Sequence, residues 1–192
     1  MASVIDICSN ALLLVGAQTI SALDEGNDRA RLVANLYDGV KNAVIRSHPW
    51  NCCIKRVALA PLSESPAFDY AYQFLLPPDC AKILQVGEYR QEIDYRIEAG
   101  CILADETAVF LKYVSKDIDE SQFDDLLSDA IMYAMAARVA YPLTQSATLQ
   151  QTMEQKLAIV MREARSVDGQ DDPPETLGDT ALVNSRFFGT RW

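Results

Sequence analysis

Histidine, clustered glycine and long apolar runs are what this 192-residue chain has least of. Its one histidine is His48. A serine–histidine–acid system would have to use it, yet Ser47-His48-Pro49 lacks the sharp turn that exposes a catalytic serine. A polar cap at a helix end is its expected role. The eight glycines all stand apart. No G-x-G-x-x-G or G-x-x-x-x-G-K-[ST] run is there to cradle a phosphate. The five cysteines, Cys8, Cys52, Cys53, Cys80 and Cys101, form no C-x-x-C. A zinc site needs about four Cys or His ligands at short spacings. The adjacent Cys52 and Cys53 are expected to diverge on a strand, so neither a metal nor another cofactor is expected. An odd count with no pairing pattern suits reduced thiols of the cytosolic kind. No apolar run approaches the roughly 20 residues of a membrane span. The opening Met1-Ala2-Ser3-Val4-Ile5-Asp6 has no basic region or cleavage site, so no secretory signal is expected.

Bases are also scarce: 17 Lys and Arg against 27 Asp and Glu give a net charge of −10. A protein with that field does not hold duplex DNA by overall attraction. The charge is uneven, however. Residues 29–56 carry Arg29, Arg31, Lys41, Arg46, Lys55 and Arg56 against Asp38 alone. Residues 1–28 carry four acids and no base, and the remainder is strongly acidic. Such asymmetry suits a chain that meets copies of itself or other subunits. The basic stretch has no interleaved aromatics and no DNA-reading motif.

The length suits one domain able to bury roughly 70% of its unfolded surface. Ser3 to Val15 predicts a helix, with Ser3 and Asp6 as a capping box and Ile5, Cys8, Leu12 and Val15 as its buried stripe. Gly16 is placed to end it. A second helix is expected from Asp28 to Arg46, with Val33, Leu36, Val40 and Val44 inward and Tyr37 flanking. Gly39 inside it costs about 1 kcal/mol relative to Ala, which a closely packed partner would explain. Trp50 is expected to plug the core beyond Pro49.

The apolar period then changes from helical to two. Residues 52–114 predict a small antiparallel β lobe inserted between two helical pairs. Phe68, Tyr70, Tyr72, Phe74 and Leu76 are expected on one side of a single long strand. Residues 123–165 predict a helical hairpin. Ser121 is its expected cap, and Ala130, Ala134, Ala137 and Tyr141 make a small-residue stripe. The first helix is expected to stop at Tyr141-Pro142. Leu149, Met153, Leu157, Val160 and Ala164 are the inward side of the second. The fold class is α+β: a helical bundle domain from residues 1–51 and 115–166, the β lobe 52–114, and an extended arm 167–192.

Two carboxylates hydrolyse a glycosidic bond when they face each other across a cleft and one is buried. Asp105-Glu106, Asp119-Glu120, Asp124-Asp125 and Asp171-Asp172 are the available pairs. All lie beside turns or at expected helix starts, where solvation or capping is the ordinary role. A glycan hydrolase is the rival enzymatic reading. The arm ends differently from a plain polar tail: Leu182, Arg186, Phe187, Phe188, Arg191 and Trp192 bring aromatics and arginines, the types enriched at interface hot spots. They are the candidate partner-interface residues, expected to dock on a neighbouring subunit.

The order of segments resembles the tail tubular protein A family of short-tailed bacteriophages. The blocks that carry it are Ala11-Leu12-Leu13-Leu14-Val15-Gly16 and the helix running into His48-Pro49-Trp50-Asn51. Next comes Phe68-Asp69-Tyr70-Ala71-Tyr72-Gln73-Phe74-Leu75-Leu76-Pro77-Pro78-Asp79-Cys80. Tyr95-Arg96-Ile97-Glu98, Leu111-Lys112-Tyr113-Val114 and Ala140-Tyr141-Pro142-Leu143-Thr144 follow in order. These are structural blocks, specific as an ordered set. The resemblance implies a non-enzymatic head-to-tail adaptor, made in the host cytoplasm and residing in the virion. It implies a ring of identical copies, twelve in such phages, between the portal protein and the tail nozzle protein, with DNA passing through the lumen and no membrane involved. Another head completion or tail terminator protein is the alternative within the same class.

Overall fold

Helix α1, Val4–Leu14, starts where Ser3 and Asp6 exchange hydrogen bonds. The Ser3 Oγ accepts from the Asp6 N–H at 3.1 Å, and the Asp6 carboxylate accepts from the Ser3 N–H at 3.2 Å. Ile7, Cys8, Ala11, Leu12 and Val15 are its buried stripe, with Ile5 only half-buried. The expected stripe is therefore rotated toward Ile7 and Ala11. Gly16 follows with φ 77°, the left-handed conformation that closes helices. This computed structural model describes residues 3–88 and 93–171.

Helix α2, Asp28–Ser47, is capped by Asn27, whose Oδ1 accepts from the Ala30 N–H at 2.7 Å. Val33, Tyr37, Val40, Val44 and Ile45 are buried. Trp50 is 1% exposed, and its indole N–H donates to the Val44 carbonyl at 3.1 Å. A 3₁₀ turn, Asn51–Cys53, then leads into the β region.

The strands are β1 Ile54–Leu59, β2 Tyr72–Leu75, β3 Cys80–Val86, β4 Tyr95–Glu98, β5 Cys101–Ala104 and β6 Val109–Ser115. They form two three-stranded antiparallel sheets, ordered β1-β6-β3 and β2-β5-β4, where the sequence suggests a single one. Strand β6 shows how they join. Val109, Leu111 and Tyr113 point into a small core shared with Phe74 and Ile102, while Val114 belongs to the helical core. The long strand expected from Phe68 is shorter. Phe68 is 76% exposed, Asp69 sits at φ 70°, and ladder pairing with β5 begins only at Tyr72. Alternation supplied the pattern, but β5 has four residues to pair with.

Helix α3, Asp125–Thr144, is capped by Asp124, whose carboxylate accepts from the Leu126 N–H at 3.3 Å. Ser121, the expected cap, lies instead in a 3₁₀ turn, Glu120–Gln122. The helix also runs through Pro142 rather than stopping at Tyr141. Only its last turn lies beyond, so one missing N–H is the cost. Thr144 Oγ1 donates to the Ala140 carbonyl at 2.7 Å, and the N–H of the left-handed Gln145 donates to Tyr141 at 2.8 Å. Helix α4, Ala147–Asp171, starts with the Ser146 Oγ accepting from the Leu149 N–H at 3.2 Å. It continues over residues 166–171, which the sequence suggests are extended. The architecture is α+β, with α3 packed against α1, α2 and α4.

Candidate functional site

The acids with catalytic potential are occupied in holding elements together. Asp79 sits where β1, β3 and β6 meet the helical core. Its carboxylate accepts from Lys55 Nζ at 3.0 Å, Ser115 Oγ at 2.8 Å and Tyr113 OH at 3.2 Å. Burial alone would raise its pKa, but the hydrogen bonds from Ser115, Lys55 and Tyr113 outweigh it and hold Asp79 below the ordinary carboxylate value. Burial, and then the Asp79 charge, push the Tyr113 phenol up to about 12. Glu120 does similar work on α2, accepting from Tyr37 OH at 3.2 Å and Lys41 Nζ at 3.0 Å. Burial and then that carboxylate raise the Tyr37 phenol. Neither Asp79 nor these tyrosines stands out in the sequence, because their partners come from distant strands.

Members of the carboxylate pairs resolve into structural roles. Asp105 accepts from the Ala71 N–H at 2.8 Å, Asp119 from the Ser121 N–H at 2.8 Å, and Asp124 caps α3. Asp171 is the last residue of α4, and Asp172 lies outside the described residues.

His48 lies just past α2 and faces α4. Its Nε2 is 3.0 Å from Asp168 Oδ2 and its ring stands edge-on to Trp50 at 4.7 Å. Asp168 Oδ1 also accepts from the Asn51 N–H at 2.9 Å, and the Asn51 amide donates to the Asp168 carbonyl at 2.7 Å. One turn earlier Arg165 donates to Ser47 Oγ at 3.2 Å. Together these contacts clasp the end of α2 to the last turns of α4. Ser47 Oγ meanwhile donates to the Val44 carbonyl at 2.7 Å. The serine hydroxyl is thus tied to its own helix, and the histidine serves the clasp.

Cys52 and Cys53 lie on the 3₁₀ turn, not on a strand, and their sulfurs approach to 3.7 Å rather than diverging. The tight turn brings successive side chains to one side, which an extended strand would not. Among the described residues, no group of three or more His, Cys, Asp or Glu is placed to hold a metal ion.

A concave feature lies elsewhere among the described residues. A groove of about 870 Å³ opens between α2, α3 and α4. Its floor and walls include Gly39, Ala43, Ala134, Ala137, Tyr141 and Leu157. The only charged side chains on it are Arg138 and Glu154. Ala134 and Ala137, half of the expected small-residue stripe, line the groove, whereas Ala130 is fully buried. Tyr141 is 52% exposed at its edge. The clasp at Ser47 and Arg165 sits at one end, so α2 and α4 part from a fixed point. The candidate interface residues Leu182, Arg186, Phe187, Phe188, Arg191 and Trp192 lie outside the described residues. No described helix is long and apolar enough to cross a membrane. No model of a known protein family matches the chain, and no curated protein matches it at a significant level, so its function has to be argued from its own residues and geometry.

Proposed function

We propose that this chain is a structural head-to-tail adaptor of the tail tubular protein A kind, assembling as a ring between a portal and a tail nozzle. The observation that carries the reading is the open α2–α3–α4 groove. It is an open trough on a helical face, with Gly39, Ala43, Ala134 and Ala137 among larger apolar side chains and with Asn35, Arg138, Gln150 and Glu154 also lining it. A trough between helices of this form suits the apolar side of a partner segment. The ordered sequence blocks quoted above support the same reading. In a ring of identical copies each chain offers one surface and contributes a different one, the heterologous contact that closes a cycle. An acidic chain around the lumen would let DNA slide rather than adhere. The partners are thus further copies, the portal protein and the nozzle protein, and the place of action is the virion.

Mass measurement of the purified chain, alone and mixed with a cognate portal ring, tests the reading. A ring-sized complex, formed alone or only on the portal, is the expected result. A chain that stays monomeric with the portal and releases reducing sugar from surface polysaccharide would replace the adaptor by the hydrolase.

A further inference from the structure

Gly39 has no partner within the described chain that requires it. A Cβ built there meets nothing within 4 Å. Its φ is ordinary for a helix, so neither backbone strain nor internal packing accounts for a residue that weakens α2 by about 1 kcal/mol. Gly39 lines the groove, beside Ala43 on the same helix and across from Ala134 and Ala137 on α3. The groove thus has its small residues where something from outside would approach closest. Its volume of about 870 Å³ suits an insertion of drug-molecule size, which is to say a few aromatic side chains.

The chain itself carries such a group. Beyond Asp171 come nine residues, 172–180, with the consecutive Pro173-Pro174, and then the stretch Ala181 to Trp192 with Phe187, Phe188 and Trp192. We propose that the α2–α3–α4 groove is the receptor for residues 181–192 of a neighbouring copy of this chain. The ring of the proposed function makes the neighbour the source, and chain length allows it. The groove extends along α2 from Ser47 to Asn35, roughly 18 Å at the helical rise. The spacer of nine residues, 172–180, has a contour length of at most roughly 30 Å. That reach exceeds the length of the groove, enough to bring the aromatic stretch to a groove on another copy. In a ring it carries that stretch to the next copy. Arg186 and Arg191 would meet Glu154, the one acid on the groove wall. This inference rests on the adaptor reading and names the contact that would hold its ring together.

The test uses the full chain with the photoreactive residue benzoylphenylalanine in place of Phe188. Nitrogen-15-labelled and unlabelled copies are mixed equally, with and without the portal ring, and irradiated at high concentration. Cross-linked peptides are then identified by mass. The expected attachment points fall within residues 35–47, 134–142 and 150–161, and about half of them join a labelled to an unlabelled copy, the statistical share for exchange between molecules. Gly39→Leu, which fills the groove from an exposed helix position, is expected to lower that yield at least about tenfold with the helical circular dichroism unchanged. Gly39→Ala, with a smaller side chain at the same place, is expected to lower the yield less. Cross-links that never join the two labels overturn the neighbour as source. Cross-links that join the labels but land elsewhere, or land on the portal, overturn the groove and leave the adaptor intact. No intermolecular cross-link, with a mass that stays monomeric on the portal, overturns both.

Discussion

Helix α3 has two sides that do opposite things. On one, Leu127, Ile131, Met135 and Val139 are fully buried and close a core against the rest of the helices. On the other, Ala134 and Ala137 stop short of the surface, and Tyr141 stands half in solvent over the groove. Large side chains seal an interface within the chain, and small ones leave room that the chain does not fill. The contrast teaches that helix identity and core membership are separate questions. Residues one turn apart on this helix, Ile131 and Met135 as well as Ala134 and Ala137, are all buried, yet some fill the core completely and others form the floor of an open groove.

The largest expected effect tests the sealed side. Ile131→Ala is expected to lose about 3–4 kcal/mol, because a fully buried side chain leaves both lost transfer energy and a cavity. Tyr141→Ala on the open side is expected to cost the isolated chain less than about 1 kcal/mol. Urea denaturation of both, compared with the parent, measures the difference. Equal losses would mean that the groove side is core after all, and the contrast would collapse.

Asp79 tests the seam between the helical and β cores. Removing it in Asp79→Ala takes a shared charged acceptor from Ser115, Tyr113 and Lys55, leaves Ser115 with only its Asp117 contacts, and is expected to cost about 2 kcal/mol at neutral pH. Lys55, which is 39% exposed, contributes little of that. The pH dependence separates this from a packing defect. Asp79 has a folded pKa below its unfolded one, so its contribution is complete above the unfolded value, near 4, and is lost as pH falls through the folded value. The stability gap between parent and Asp79→Ala should therefore narrow below about pH 4. A gap that stays constant from pH 7 to pH 3 would remove the charge from the account.

The clasp offers a smaller test. Asp168→Ala is expected to cost about 1–2 kcal/mol and to raise amide exchange over residues 165–171, because Asn51 and His48 lose their shared partner. Exchange that stays slow there would show that α4 holds its last turns without α2.

Much of this layout was legible from local chemistry, and the failures share one cause. The Ser3–Asp6 box, the run of α2, the burial of Trp50 and the α+β class all follow from caps and period. Pro142 misled because its rule is local, and near a helix end a single absent bond is outweighed by Thr144 and Gln145. Residues 166–171 look like a linker because their helix is held by Asp168 contacts with residues more than a hundred positions away. Phe68 looks like strand because alternation does not reveal how long the partner strand is. For the groove, Gly39 and the alanine stripe were visible as residue types. That Gly39 faces open space while Ala134 and Ala137 form a buried floor beside it depends on how α2, α3 and α4 pack, which no window of sequence contains.

The smallest expected effect is the sharpest test of the open side, because it reverses sign. Most core substitutions destabilise, and a methyl added to a packed helix contact does so by overpacking. Gly39→Ala should instead stabilise the isolated chain by about 1 kcal/mol, since the new Cβ meets nothing within 4 Å and the helix gains propensity. A rise in the urea midpoint at unchanged slope is the measurement. The same methyl narrows the trough where a partner would lie closest, so any gain in folding should be accompanied by weaker association between copies. A variant that is less stable than the parent would mean that Gly39 is already packed within the chain. A variant that gains stability and associates as well as the parent would mean that the open side of α3 is vacant for some reason other than a partner.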